Sequence, residues 1–581
     1  MISCATTGEL DLNKSDFVVR FAGEGGQGFL TAAIGLAAAN TQSGYHAQTF
    51  ATFPSQIQGG PTWMHVRIST DTVLSRGDEL DVLVVFNEEA YSIHKDEVRD
   101  GGVIIYDSDG MDVEGEESLG IPFDKLAKST GNSRSANMVV MGALAGLIGI
   151  PQSILEEFVK RRWANTARYG ETIVPTNIHA LTLGREAATA SGFVIGELDP
   201  PKKPEYEQIF VDGNQAICLG AVASGIQFYC GYPISPATTI LIWMEKNLVG
   251  DGKFAYQVSS EIEAITSLIG AGYAGTKAMS ATAGPGFSLM SEGLGMAWMA
   301  EIPLVIVDVQ RGGPATGLPT KTEQSDLLNA INPAHGDVSL PVIAPGTVEE
   351  CFYGTVQAFN WAETYQGPVV LLSEHSLSEK QQNIPKPNLN KLEVRDRILY
   401  EGKDGYQRYE LGEISPMPIP GGPGSYVANA SEHDGIGDTT HLSERHIQMT
   451  ERRFRKLESL LDSPYEHDRI DCDVSIMPWG GSKGPAKEAY DELLLDGKDV
   501  GWFYTMFLNP INLKLLDELR NKKLVLVPEL NYLGQFASVL KSQGVNAEPI
   551  TQYTGLPFKV KDLVQHISSR LTEFNNGGSA S

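Results

Sequence analysis

Three stretches between residues 227 and 286 decide the fold: Gln227-Phe-Tyr-Cys-Gly-Tyr-Pro-Ile-Ser-Pro236, Phe254-Ala-Tyr-Gln-Val-Ser-Ser-Glu-Ile-Glu-Ala264 and Lys277-Ala-Met-Ser-Ala-Thr-Ala-Gly-Pro-Gly286. Each opens on a short apolar run with strand character. Each then breaks at Gly, Pro or Ser and passes into a helix-like segment. Strand, turn and helix repeating in this way bury a parallel sheet between helices, so the region is expected to be α/β.

The same rhythm extends in both directions. On the N-terminal side, Gly213-Asn-Gln-Ala-Ile-Cys-Leu-Gly-Ala221 reads as a Gly/Ala-rich helix. On the C-terminal side, Leu304-Val-Ile-Val-Asp308 and Pro368-Val-Val-Leu-Leu372 read as strands. Before it, Gly196-Glu-Leu-Asp-Pro-Pro-Lys-Lys-Pro-Glu205 is Pro-rich and charged and reads as a linker. Upstream, Phe17–Ala22, Asp81–Phe86 and Gly102–Tyr106 are strand candidates and Met138–Ile148 a helix, again predicting a mostly parallel sheet. From 377 to 467 periodicity fails in a polar, Pro/Gly/His-rich stretch that ends in a charged helix, Thr450 to Leu461. A third α/β unit follows, with strands at Val474–Pro478, Val500–Phe507 and Lys523–Val527 and a helix at Ala486–Leu495. The expected domains are 1–195, a linker at 196–207, 208–376, an irregular connection at 377–467, 468–570 and a flexible tail at 571–581.

Composition limits the function classes. The net charge is -27, which disfavours nucleic acid and anionic membranes. No apolar run is long enough to span a bilayer. Met1 to Ser15 lacks the cationic start and apolar core of a signal peptide, so a cytoplasmic location is expected. The five cysteines, Cys4, Cys218, Cys230, Cys351 and Cys472, include no C-x-x-C pair. That argues against a disulfide framework and against an iron–sulfur site held by this chain alone.

Glu261 stands at a strand-to-helix junction, a position where a carboxylate can do chemistry or merely favour the positive helix end behind an N-capping Ser259 or Ser260. Glu263 has the same two readings. Arg311 follows a strand and opens the Gly-rich loop Arg311-Gly-Gly-Pro-Ala-Thr-Gly-Leu-Pro-Thr-Lys-Thr-Glu-Gln-Ser-Asp326. A guanidinium there can grip a carboxylate, and the C-terminal ends of strands are where α/β sheets bind ligands. Gly23-Glu-Gly-Gly-Gln-Gly28 approaches a dinucleotide fingerprint, but no acidic residue is placed to hold a ribose. Gly480-Gly-Ser-Lys-Gly484 lacks the Walker pattern and reads as a strand–helix turn.

Tyr232-Pro-Ile-Ser-Pro236, Ser260-Glu261 and Thr282-Ala-Gly-Pro-Gly286, with the Arg311 loop in order behind them, resemble the α subunit of the 2-oxoacid:ferredoxin oxidoreductases, Ser235 replacing the usual Thr. Gly25-Gly-Gln-Gly28 and Gln58-Gly-Gly60 resemble the γ subunit, Gln58 standing where the family often has Arg. The third unit resembles the transketolase C-terminal domain. The resemblance implies a γ–α fusion of several parallel-sheet layers, including a thiamine-diphosphate pyrimidine-binding-like domain. It further implies coenzyme A-dependent oxidative decarboxylation of a 2-oxoacid, most nearly 2-oxoglutarate to succinyl-CoA.

By that resemblance Glu261 activates the cofactor's aminopyrimidine, while Tyr232, Pro233, Ile234, Gly284, Pro285 and Gly286 line it. Ser235 and Arg311 take the substrate's 2-oxo carboxylate, Lys321 a distal carboxylate, and Gly25, Gly26, Gln27 and Gly28 lie near the coenzyme A region. Gly250-Asp-Gly252 mimics the diphosphate motif of thiamine enzymes, but no Asn follows where they place one; 276–280 reads Thr-Lys-Ala-Met-Ser. The diphosphate, Mg2+ and a [4Fe-4S] cluster are therefore expected on a β subunit in an (αβ)2 heterotetramer that passes electrons to ferredoxin. Pyruvate, branched-chain and aryl oxoacids, or a non-catalytic scaffold role, are the alternatives.

Overall fold

The computed structural model describes residues 13–576 apart from Gly26, 55–59, Glu114, Glu116, 164–169, Val194, Asp404, Leu411 and Glu413. Gln58 and Gly26 thus lie outside the described residues. The chain forms two compact units, Met1–Phe210 with Lys380–Lys386, and Val211–Glu379 with Pro387–Ser581. No helix among the described residues is long and apolar enough to cross a membrane.

The first unit is built on an eight-stranded sheet. Its order is Ser118–Ile121, Val98–Asp107, Leu80–Val85, Asp16–Glu24, Pro61–Ser69, His46–Thr52, Gln381–Pro385 and Gln208–Asp212. The first four strands run parallel, as the buried apolar runs predict. Pro61–Ser69 pairs antiparallel with both Asp16–Glu24 and His46–Thr52, and Gln381–Pro385 pairs antiparallel with His46–Thr52. The sheet is therefore mixed rather than mostly parallel. Its antiparallel half comes from His-Ala-Gln-Thr-Phe-Ala-Thr and Pro-Thr-Trp-Met-His-Val-Arg-Ile-Ser, which intersperse polar side chains and so lack an unbroken apolar run.

Helices Ala136–Leu147 and Gly170–Ser191 lie almost backbone to backbone in this unit. A Cβ on Gly142 would stand 2.0 Å from the Leu181 carbonyl oxygen, and one on Gly184 would stand 1.9 Å from that of Val139. Only glycine permits this approach.

The second unit carries the three decisive stretches in a seven-stranded sheet. Its order is Phe254–Gln257, Phe228–Gly231, Ala278–Thr282, Leu304–Gln310, Pro368–Glu374, Val342–Ile343 and Phe507–Asn509. All neighbours are parallel except the last pair. A second sheet of Glu466–Asp468, Gly501–Tyr504, Val474–Ile476, Leu524–Glu529 and Ala547–Thr551 is parallel apart from its first strand. The run expected as one strand, Val500–Phe507, is broken at Thr505-Met506. Gly501–Tyr504 stays in the five-stranded sheet while Phe507–Asn509 crosses to the other.

The aperiodic stretch after residue 386 is ordered by buried charge. Glu301 is 1 % exposed and accepts from Arg452 at 3.0 and 3.2 Å and from Lys456 at 2.8 Å, with Arg408 at 3.9 Å. Arg397 meets Glu363 through two bonds of 3.0 and 2.9 Å. The charged helix spans Ser443–Arg455, seven residues earlier at its start than the sequence suggests, because its inward face is Met449, Arg452 and Arg453 rather than an apolar stripe. The stretch also supplies Gln381–Pro385 to the first sheet, so it is not irregular throughout.

Candidate active site

Following the chain from Phe228–Gly231 leads one way along the sheet to Phe254–Gln257 and then back the other way to Ala278–Thr282 and Leu304–Gln310. The order reverses between Phe228–Gly231 and Ala278–Thr282. The crevice outside the C-terminal strand ends at such a reversal is the natural ligand site of an open α/β sheet. Each residue singled out in this unit lies on a segment leaving one of these ends.

Glu261 is the first residue of helix Glu261–Tyr273 and is 4 % exposed. Ser260 caps that helix, its side chain accepting from the Glu263 amide at 3.3 Å. Glu263 turns back to accept from the Ser259 amide and hydroxyl at 2.8 and 2.6 Å. Those bonds hold the Glu263 carboxyl below the usual range. The two glutamates are thereby separated: Glu263 is an exposed partner of the cap and Glu261 turns inward.

The Glu261 Oε1 accepts from the Thr282 hydroxyl at 3.4 Å. Helix Gly284–Leu289 starts directly beyond. A Cβ on Gly286 would lie 2.3 Å from Glu261 Oε1 and 2.1 Å from Thr282 Oγ1, so the glycine keeps that space open. Glu261 Oε2 has no hydrogen-bond partner among the described residues. Tyr232, Ile262 and Leu289, on the segments around it, are 40, 55 and 53 % exposed. A buried carboxylate with a free oxygen, space beside it and an apolar rim suits a heteroaromatic ring that carries a nitrogen to be hydrogen-bonded.

Pro233 and Ile234 are half-buried in the turn after Phe228–Gly231, and Ser235 is exposed. The turn is tied to the next loop by Arg311, whose Nη1 donates to the Ser235 carbonyl at 2.6 Å. Arg311 is 8 % exposed and its Nε has no partner among the described residues. Burial lowers its pKa and Asp326 opposes the fall, but a guanidinium remains charged. Lys321 is half-buried, with burial lowering its pKa, and its ammonium has no ion pair among the described residues.

Sequence reasoning missed His375. It follows Glu374, which pairs in register with Gln310, so His375 and Arg311 leave adjacent strands at the same level. Burial, then Lys321 and Arg311, push the imidazole down to about 4, which keeps it neutral beside the two cations. Asp308 was missed too. It is fully buried in Leu304–Gln310 and neither carboxyl oxygen has a partner among the described residues. The signal was a lone carboxylate inside Leu-Val-Ile-Val-Asp-Val-Gln, read only as an apolar strand.

In the first unit, Gly25 and Gly28 are exposed, and no atom lies within 4 Å of where a Cβ would stand. Gly28 has φ 81° and precedes helix Phe29–Gln42, whose N-terminus has no side-chain cap. Gln27 Oε1 instead accepts from the Glu24 amide at 2.7 Å. Uncapped amides at the start of a long helix attract an anion.

Comparison with known proteins converges on one family. Residues 219–452 match the family model described as pyruvate flavodoxin/ferredoxin oxidoreductase, thiamine diphosphate-binding, and 18–187 match pyruvate ferredoxin/flavodoxin oxidoreductase. The 2-oxoacid:ferredoxin oxidoreductase subunit alpha of Sulfolobus sp is 30% identical, over 92% of this chain and 94% of its own. The chain belongs to the 2-oxoacid:ferredoxin oxidoreductases. Another relative in this family, the 2-oxoglutarate oxidoreductase subunit KorA of Mycobacterium tuberculosis, is 29% identical over 95% of this chain and 91% of its own. A solved structure, 2-oxoglutarate:ferredoxin oxidoreductase from Magnetococcus marinus with 2-oxoglutarate, coenzyme A and succinyl-CoA bound, superposes with TM-score 0.91 at 36% identity. It covers 96% of this chain and 100% of its own. The expected α subunit with a fused γ domain, its α/β fold and its thiamine-binding segment are thereby borne out. As an α subunit of a 2-oxoacid:ferredoxin oxidoreductase, the chain works with a partner subunit.

Proposed function

We propose that this chain provides the pyrimidine half of a thiamine diphosphate site and the substrate-carboxylate site of a 2-oxoglutarate:ferredoxin oxidoreductase, with a β subunit completing both. The observation that carries the reading is Glu261, buried at a helix start with one carboxylate oxygen unpartnered among the described residues and a glycine holding the facing space open. Thiamine diphosphate, when bound, supplies the electron sink that decarboxylation of a 2-oxoacid requires. Glu261 would hold the ring nitrogen of the aminopyrimidine by a hydrogen bond and exchange a proton with it, favouring the form that readies the cofactor. Tyr232, Ile234 and Gly284 to Gly286 would line the bound ring, with the apolar Ile262 and Leu289 beside them keeping water away.

Arg311, locked to the Ser235 carbonyl, presents its remaining donors to the 2-oxo carboxylate. Ser235, exposed beside it, offers its hydroxyl to the same group. Lys321, a half-buried cation with no anion of its own among the described residues, takes the distal carboxylate and so favours a dicarboxylic oxoacid over pyruvate. Neutral His375 leaves the charge of that pair uncompensated for substrate. Gly25 to Gly28 receive part of coenzyme A. The β subunit holds the diphosphate, Mg2+ and an iron–sulfur cluster that passes electrons to ferredoxin, in an (αβ)2 assembly.

The test is to co-express the chain with its β subunit and follow coenzyme A-dependent reduction of a viologen dye. 2-Oxoglutarate, pyruvate and a branched-chain oxoacid are compared, with Glu261→Ala alongside. Activity with 2-oxoglutarate, lost in the variant while the complex still assembles, supports the reading. Inactivity of a fully loaded complex with every oxoacid defeats it.

A further inference from the structure

Lys321 stands at the foot of a closed loop. The Gly312 amide donates to the Lys321 carbonyl at 3.0 Å, the Leu318 amide to the Gly312 carbonyl at 2.8 Å, and the Lys321 amide to the Leu318 carbonyl at 3.1 Å. The residue after Arg311 is thus bonded to Lys321 itself. Lys321 is half-buried and has no ion pair among the described residues.

Directly after Lys321 the chain docks on the part of this unit built around the five-stranded sheet. The Thr322 amide donates to the Gly555 carbonyl at 3.2 Å and the Gln324 amide to the Leu530 carbonyl at 2.7 Å. Gln324 is fully buried. Its side chain donates to the Trp479 carbonyl at 2.9 Å and accepts from the Leu530 amide and the Ser482 hydroxyl, each at 2.8 Å. Leu530 and Gly555 lie in the turns that leave Leu524–Glu529 and Ala547–Thr551, at the C-terminal ends of two parallel strands. The loop that offers Arg311 and Lys321 is therefore seated by residues far downstream.

Gly555 makes the closest approach to it. The residue is buried, with φ 74°, in the turn Gln552-Tyr-Thr-Gly-Leu556. The Gln552 side chain closes that turn by donating to the Leu556 carbonyl at 2.7 Å. A Cβ at position 555 would lie 2.8 Å from Lys321 Cβ and 3.1 Å from its Cγ, with Leu318 Cδ1 at 3.5 Å. Those Lys321 atoms are the base of the side chain, which cannot swing aside as its tip could. A positive φ alone would admit asparagine, but the approach to Lys321 admits only glycine. The missing side chain does more than permit a turn: it is the room in which the Lys321 stem lies.

Resting on the reading of Lys321 as the cation for a distal carboxylate, we propose that Gly555 is a specificity-determining residue of the oxoacid site. By leaving that room empty it fixes the direction in which the ammonium extends from its half-buried stem, and hence its reach to a second carboxylate. Gly555 is a positioning residue, because it acts on substrate through Lys321. A side chain at 555 turns the stem away. A dicarboxylic oxoacid then loses its distal contact, while a monocarboxylic one has no such contact to lose. The part of the chain around the five-stranded sheet, to which no catalytic residue is assigned, thereby enters substrate choice.

The experiment measures kcat and KM of the assembled holoenzyme for 2-oxoglutarate and for 2-oxobutyrate, which lacks the distal carboxylate. Wild type, Gly555→Ala, Lys321→Met and the double variant are compared. Gly555→Ala should lower kcat/KM for 2-oxoglutarate by about tenfold or more, the low end for losing a hydrogen bond to a charged group. The loss should lie in KM, and the preference for 2-oxoglutarate over 2-oxobutyrate should fall with it. In the Lys321→Met background the same substitution should have almost no further effect, because it acts through the lysine. Alanine at φ 74° strains the turn as well, so Gly555→Asn, which tolerates that φ and carries the same Cβ, accompanies it. Where neither assembles, Gln552→Ala loosens the turn without adding bulk and should raise the 2-oxoglutarate KM alone. A 2-oxoglutarate KM unmoved in every assembled variant of the turn, a loss shared equally by 2-oxobutyrate, or a full further loss in the Lys321→Met background overturns the proposal. Lys321→Met with unaltered KM for 2-oxoglutarate would instead defeat the reading of Lys321, and the proposal with it.

Discussion

Arg311 and Ser235 join two loops that are far apart in sequence: the guanidinium Nη1 donates to the Ser235 carbonyl across 2.6 Å. The bond fixes the orientation of a buried cation before substrate arrives. It also holds the Tyr232–Pro236 turn against the loop that carries Lys321. Pre-organisation of this kind lets a guanidinium act without first ordering its own side chain.

Arg311→Lys keeps the charge but loses the fork and the tie to Ser235. A lost charge-assisted hydrogen bond of roughly 1.5–3 kcal/mol corresponds to a drop of about 10- to 150-fold in kcat/KM. Steady-state kinetics with 2-oxoglutarate should show most of it in KM.

Glu261→Gln and Glu263→Gln are expected to diverge. The first removes a proton-moving group and should cost about 10²–10⁴ in kcat, with little change in melting temperature. The second weakens the return bonds to Ser259 and should lower melting temperature slightly with activity kept. Loss of turnover in the Glu263 variant with Glu261→Gln active would reverse the assignment.

Gly286→Ala tests the space beside Glu261. The added Cβ would sit inside contact distance of both Glu261 Oε1 and Thr282 Oγ1. Position 286 is helical, so the backbone itself tolerates alanine. Activity should fall sharply at near-normal thermal stability; an active Gly286→Ala enzyme would mean that the space is not used.

Glu301 should control stability. Burial alone would raise its carboxyl, but Lys456, Arg452 and Arg408 outweigh burial and hold it well below the usual carboxylate range. Its folded pKa lies below its unfolded one, so its contribution is complete above about pH 4.3 and is lost as pH falls further. Glu301→Gln leaves three buried cations without their anion and should destabilise by roughly 3–5 kcal/mol. Calorimetry should show the lowered transition and a weaker acid dependence.

What could be read from the sequence follows burial pattern. Strands buried along their whole length, such as Leu304–Gln310 and Pro368–Glu374, announce themselves by apolar runs at 304–307 and 368–372. His46–Thr52 and Pro61–Ser69 do not, because Gln48, His65 and Arg67 interrupt them. Thr505 hides the strand switch inside Trp502-Phe-Tyr-Thr-Met-Phe507, since a change of sheet needs no change of hydrophobicity. At the candidate site, motif order is what singles out Glu261 and Arg311. Asp308 lies on one strand and His375 directly follows its neighbour, and strand pairing is not written in linear spacing.

Phe507–Asn509 closes the far edge of the sheet that carries Glu261 near its opposite edge. During synthesis Phe228–Gly231 leaves the ribosome long before that closing strand does. In the interval Val342–Ile343 is a bare edge that another nascent chain could add to. A chain ending before Phe507 would leave that two-residue edge unpaired, and its sheet would lack the strand that seals it.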